Sequence, residues 1–244
     1  MKYHLACMLP LIILFVSCNA TKSNRPEKSH LTQIQVSIDA AIEGQYLAVF
    51  ETLNPQITSK VTGAFTFSVE KLTDEVVGDV RITNAGPDLI HAQSVRVGNR
   101  CPTKDDDLNA DGIIDAFEGE KVYGKIFFPL DGDLSSQSSH DGEFPKGDTY
   151  GNYIYARVAN FSHFMKDLRS HENTEGYFKL KELEPLEIEN RVVIVQGVDE
   201  AIGLPATVRS VGRIAAYQSL PIVCGVIQKV IMPPGHIDDG ATYP

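Results

Sequence analysis

Val61-Thr62-Gly63-Ala64-Phe65-Thr66-Phe67-Ser68-Val69 is the stretch that decides the fold. Valine, glycine and phenylalanine at the odd positions alternate with threonine, alanine and serine at the even ones, so one face of an extended chain is apolar and the other polar. Side chains of a strand point alternately to opposite faces, and a period of two therefore marks a half-buried strand. Gly78, Val80 and Ile82 against Asp79, Arg81 and Thr83 repeat it. Runs of similar texture lie at Tyr46 to Phe50, Ala92 to Val97, Val122 to Phe128, Tyr153 to Val158, Arg191 to Val198 and Ile222 to Val230. About eight strands separated by loops predict an all-β domain, an eight-stranded Greek-key barrel or sandwich. One short loop helix is expected inside it, where Phe161, Phe164, Met165 and Leu168 keep helical spacing behind a cap at Asn160.

Upstream of the domain, residues 1–17 carry Lys2, a largely apolar run from Leu5 to Val16 and Ser17, the order of a signal peptide. The run is too short to span a bilayer. Leu14-Phe15-Val16-Ser17-Cys18 resembles the lipobox of bacterial lipoproteins, which implies cleavage before Cys18 and a lipid on its sulfur. The other reading is ordinary signal cleavage nearby, with Cys18 a plain thiol. Residues 18–32 are polar, charged and proline-containing, and read as a flexible tether. The domain is expected over 33–230, and 231–244, with three prolines, as a loose tail. Export with anchoring in the envelope follows, the membrane being a partner through the lipid on Cys18. By resemblance to enteric sorting rules, Asn19 after that cysteine favours the outer membrane.

Taking 17 residues from 244 leaves 227, enough for one domain with a substantial core. A formal charge of −10 argues against binding nucleic acid or an anionic membrane surface through charge. With Cys7 in the leader and Cys18 lipidated, Cys101 and Cys224 remain, and in an oxidising compartment they are most simply one disulfide. A free catalytic thiol is the alternative, but no histidine is close to either in sequence.

The stretch from Asp107 to Glu118, Asp-Leu-Asn-Ala-Asp-Gly-Ile-Ile-Asp-Ala-Phe-Glu, has the order of a twelve-residue EF-hand calcium loop. Asp107, Asn109 and Asp111 place oxygens at positions 1, 3 and 5, and Gly112 allows the sharp turn at position 6. Ile113 offers its carbonyl, Asp115 acts directly or through water, and Glu118 closes the site with both oxygens; Ile114 is the apolar anchor. Crowded carboxylates repel one another unless a hard cation sits among them, so calcium is the expected ion and a solvated acidic loop the bland alternative. Cys101-Pro102 stands where a sensor's entering helix would be, and no second loop pairs with this one. A structural calcium is therefore expected here, not a switch.

Leu220-Pro221-Ile222-Val223-Cys224-Gly225-Val226-Ile227 is similar to the C-terminal strand of copper/zinc superoxide dismutases, which carries the second half of their disulfide. Tyr46 to Phe50 with Val61 to Phe67 resembles that family's first two strands, Val80 to Gly98 the segment leading to its first cysteine, and Arg191 to Val195 the strand ending at a copper ligand. The likeness spans about residues 46 to 230 and implies an eight-stranded Greek-key barrel with Cys101 bonded to Cys224. The family's copper chemistry does not carry over. Where a His-x-His pair should precede the first cysteine stand Gln93, Ser94, Val95 and Arg96, with His91 the only imidazole nearby. Gln196 replaces a further copper-binding histidine, and Pro221 the arginine that guides superoxide. Asp148 matches the zinc-binding aspartate, and His140 could be a surviving partner. A redox copper site needs several nitrogen donors converging at about 2 Å, and this spacing offers none.

No Gly-x-Ser-x-Gly, His-Glu-x-x-His, phosphate-cradling glycine loop or Cys-x-x-Cys pair occurs. The expected function is a non-catalytic, superoxide-dismutase-like lipoprotein, held by calcium and a disulfide, that presents a surface to a protein or small-molecule partner. The rivals are a copper- or zinc-binding oxidoreductase or metal chaperone using His91, His140 and Asp148, and a purely structural envelope protein. Copper or zinc is not expected as a cofactor.

Overall fold

The computed structural model describes residues 44–231 except 59, 71, 138–142 and 171–175. The leader, Cys18, the tether, His140 and residues 232–244 lie outside the described residues.

Two antiparallel five-stranded sheets make up the domain. One contains β1 (Gly44–Val49), β3 (Thr62–Glu70), β4 (Glu75–Thr83), β7 (Tyr153–Asn160) and β10 (Gln228–Lys229), in the order β10-β1-β3-β4-β7. The other contains β2 (Glu51–Thr52), β5 (Gln93–Arg96), β6 (Ile126–Pro129), β8 (Val192–Gln196) and β9 (Pro221–Val226), in the order β2-β9-β8-β5-β6. Ten strands are thus present among the described residues, β2 and β10 having two residues each. The alternation in β3 does what its pattern requires: Phe65, Phe67 and Val69 are buried while Thr62 and Thr66 face solvent. β3 pairs with β4 from Thr62 opposite Thr83 to Glu70 opposite Glu75, so the apolar faces of both strands meet the other sheet together.

The sheets form a sandwich and do not close into a barrel. On one side they are joined by chain that crosses over, β1 running into β2 and β9 into β10. On the other side β7 and β6 end their sheets without pairing with each other, and β6 instead bridges Tyr177 in parallel through Ile126. Leu130 and Leu134 fill that corner, packing under Gly78, where an added Cβ would lie 3.5 Å from Leu134.

α2 (Phe161–Leu168) is the expected loop helix; its cap Asn160 accepts the His163 N–H at 2.9 Å, and Phe164 meets Phe128 edge-on at 5.0 Å. The run from Val122 to Phe128 divides in two: Val122 and Tyr123 end a helix, α1 (Ala116–Tyr123), and the strand begins at Ile126. A one-turn helix, α3 (Ala216–Ser219), precedes β9. No helix among the described residues is long and apolar enough to cross a membrane.

Apart from its edge strand β2, the second sheet is buried on both faces, and β5, β8 and β9 have no exposed residue. Its inner face meets the main core. Its outer face carries Leu53, Val192, Ile194 and Cys224, covered by Tyr123 of α1. The long connection from β5 to β6, which contains the 107–118 loop and α1, is therefore a third layer lying on the sheet.

Candidate functional site

The disulfide joins Cys101 to Cys224 with Cα atoms 5.7 Å apart. It fastens the start of the covering connection to β9. Two further contacts hold its middle. Asn54, buried with 4% exposure, donates its amide to the carbonyls of Ile114 and Pro221, both at 3.0 Å. Its side-chain oxygen accepts the Ile114 N–H at 2.8 Å, so one amide side chain satisfies both backbone groups of Ile114. Gln56 donates to the Gly112 carbonyl. Beneath the cover, Arg96 donates to Ser94 Oγ at 2.8 Å and lies over the Tyr123 ring, 5.1 Å from its centroid.

Within the loop the oxygens at positions 1, 3 and 5 are turned inward to backbone N–H groups. Asp107 accepts from Gly112 at 2.7 Å, Asn109 from Asp111 at 2.9 Å and Asp111 from Ile113 at 2.8 Å. Ala110 and Gly112 take positive φ, 57° and 84°, and fold the chain back on itself. Glu118, 1% exposed, accepts from Leu108 and Asn109 through one oxygen and from Asp115 through the other. Position 12 is thereby brought against positions 2, 3 and 9. Asp115, also 1% exposed, caps α1 by accepting from Phe117 and Glu118. Arg209, from the β8–β9 connection, forks onto the Asp115 carboxylate at 2.9 and 3.2 Å and covers the Phe117 ring at 4.4 Å. Burial pushes the Asp115 carboxyl up, but the Arg209 side chain and the Glu118 N–H outweigh it and hold it below the usual carboxylate value. Where a sensor loop has an entering helix, there is a single 3-10 turn, Lys104–Asp106, with Arg100 forked onto Asp106 at 2.8 Å.

The residues compared above with metal ligands lie elsewhere, in and just before β5, at the end of β8 and in the 143–152 segment. His91 is fully buried, stacked on Tyr153 with centroids 5.6 Å apart; Nδ1 is 3.1 Å from the Gln196 carbonyl and, among the described residues, Nε2 has no partner within hydrogen-bond geometry. Burial pushes its pKa below the ordinary histidine value, against weaker upward pulls from the Gln196 and Gly86 backbones. Gln93 bridges Tyr153 and the Leu130 carbonyl at 3.1 and 2.9 Å, and Gln196 donates to the Ser219 carbonyl at 2.7 Å. Asp148 is exposed, and its carboxylate accepts the Tyr150 and Asn152 N–H groups at 2.8 Å each, which lower its pKa. It holds a turn and makes no contact with His91. His140 lies outside the described residues. Among the described residues no three His, Cys, Asp or Glu side chains converge as a metal-holding group; in the 107–118 loop each carboxylate is occupied by N–H groups.

Asn54 and Arg209 carry the site and were not singled out by sequence, because their partners stand 60 and 94 positions away. Comparison with models of protein families gives no match, and comparison with curated proteins gives none either.

Proposed function

We propose that the chain is an exported lipoprotein, anchored in the envelope through Cys18, whose sandwich is a superoxide-dismutase-like Greek key with a calcium loop in place of redox chemistry. It serves as a binding or structural module. The observation that carries the calcium reading is Glu118, a carboxylate with 1% exposure and no salt-bridge partner among the described residues, which closes the loop by accepting the Leu108, Asn109 and Asp115 N–H groups. The nearby Arg209 is forked onto Asp115, so a divalent cation would add a counter-charge that no side chain bonded to Glu118 supplies. Asp107, Asn109, Asp111, the Ile113 carbonyl and Glu118 would hold it, with Asp115 at most behind a water. Calcium there contributes charge neutralisation and fixes the connection that covers the second sheet.

The dismutase-like reading draws support from strand order, with β1, β3, β4 and β7 in one sheet and β9, β8, β5 and β6 in the other, and from the cysteine pair. The non-catalytic reading rests on what occupies the ligand positions: Gln93 and Gln196 spend their amides on backbone carbonyls, and Ser94 accepts from Arg96. One observation favours the rival metal-binding reading, the buried Nε2 of His91, which has no hydrogen-bond partner among the described residues. Elemental analysis of purified protein with a superoxide assay separates the two. Calcium without copper or zinc, and no dismutation, is the expected result; stoichiometric copper with dismutation overturns it. Chelation is expected to lower the melting temperature and added calcium to restore it, and an unchanged melting curve overturns the calcium site. Metabolic labelling with a fatty acid, lost in Cys18→Ser, tests the anchor.

A further inference from the structure

The Asp115 carboxylate is saturated. It accepts five N–H groups: Phe117 and Glu118 at 2.9 Å each, Arg209 Nη2 at 3.2 Å, Arg209 Nε at 2.9 Å and the Arg209 backbone N–H at 3.3 Å. A carboxylate offers about four lone-pair sites, so none is left for a cation. The guanidinium that fills two of those contacts is itself fixed, stacked 4.4 Å over Phe117. Calcium loops tune their affinity by how much ligand charge they bring to bear, and this loop carries four carboxylates, Asp107, Asp111, Asp115 and Glu118. Arg209 neutralises one of them from a segment 94 residues away.

We propose that Arg209 is an affinity-setting residue of the calcium loop: by claiming Asp115 for an internal ion pair it keeps the ninth-position carboxylate on the helix cap and off the metal. The inference rests on the calcium reading above. It makes the site a weak one, matched to compartments where calcium is plentiful, in the range of about 0.1 to 1 mM that extracellular modules show. It also ties the β8–β9 connection to the loop, because Asp115 cannot serve both cations at once. Arg209 is half exposed, so its removal leaves the core untouched.

Calorimetric titration of the detergent-solubilised mature chain with calcium chloride tests this. Arg209→Gln is expected to bind calcium about three- to tenfold more tightly, the effect of removing one cation beside a divalent ion and releasing one carboxylate. The gain should disappear in the double variant Arg209→Gln/Asp115→Asn, in which neither charge of the pair remains. Arg209→Lys, which keeps the charge without the fork, should stay within about twofold of wild type. In melting experiments the deficit of Arg209→Gln without calcium should shrink when calcium is saturating, because tighter binding returns stability by mass action. Equal calcium affinity in wild type and Arg209→Gln, or an equal melting deficit with and without calcium, overturns the inference and leaves the calcium site standing. Absence of calcium binding in both proteins overturns the calcium reading itself.

Discussion

Removing the disulfide is the sharpest perturbation available, since the bond closes a loop of 123 residues and also fastens the cover to the second sheet. The chain-entropy relation assigns a loop of that length about 5 kcal/mol at 25 °C. Cys224 is fully buried whereas Cys101 is partly exposed, so Cys224→Ala with Cys101→Ser avoids placing a hydroxyl in the core. For a domain of this size about 5 kcal/mol lowers the melting temperature by roughly 10 to 20 °C. Urea unfolding followed by far-UV circular dichroism reads the change directly, and wild type under a strong reductant should coincide with the double variant. The Asn54 and Arg209 contacts to the cover survive the substitution, so the loss should not much exceed the entropic figure. A loss below about 1 kcal/mol would refute the reasoning, because the unfolded chain would then gain nothing from being uncrosslinked.

Three other substitutions probe separate contacts. Asn54→Ala strips both backbone groups of Ile114 of their partner in a buried setting and is expected to cost about 3 kcal/mol, measurable as a lowered urea midpoint. Gly112→Ala meets no atom within 4 Å but demands φ of 84°, so a loss of about 1 kcal/mol from backbone strain alone is expected, read as a lowered urea midpoint. His91 sits neutral in the fold with its pKa lowered by burial, so the unfolded chain binds the proton more readily. Its contribution is complete above the unfolded value of about 6.5 and is lost as pH falls below it. Urea midpoints at pH 7.5 and 5 should converge more closely in His91→Gln than in wild type; an identical pH dependence in the two proteins refutes this assignment.

The first sheet was legible because one of its faces is wet: Thr62, Thr66, Asp79 and Arg81 mark the solvent side and thereby register the strands. The second sheet has no wet face, so Val192-Val193-Ile194-Val195 shows only a continuous apolar run that names a strand without saying what covers it. α1 was invisible for a related reason. Gly119 sits in its middle, a weak helix position, and is required there because a Cβ would strike the Tyr123 ring at 2.4 Å. What makes the helix is its cap, Asp115, and that residue reads in sequence as a calcium ligand. Closure into a barrel depends on whether β6 and β7 meet, a long-range pairing for which the local sequence pattern carries no signal. The tight turn of the 107–118 loop was legible since the residues that make it are local, within twelve positions, whereas Asn54 and Arg209 reach it from distant parts of the chain.

The connection lying on the second sheet has a bearing on how the molecule comes apart. β8 is the middle strand of its sheet's buried stretch, flanked by β9 and β5 and roofed by Tyr123, so its amides can meet solvent only after that roof has lifted. Deuterium should therefore enter β8 last, and the cystine together with any bound ion would act as hasp and padlock on its exchange. A chain unroofed before its cystine forms would leave Leu53, Val192 and Ile194 as a sticky strip, so early oxidation should protect the folding chain from self-association.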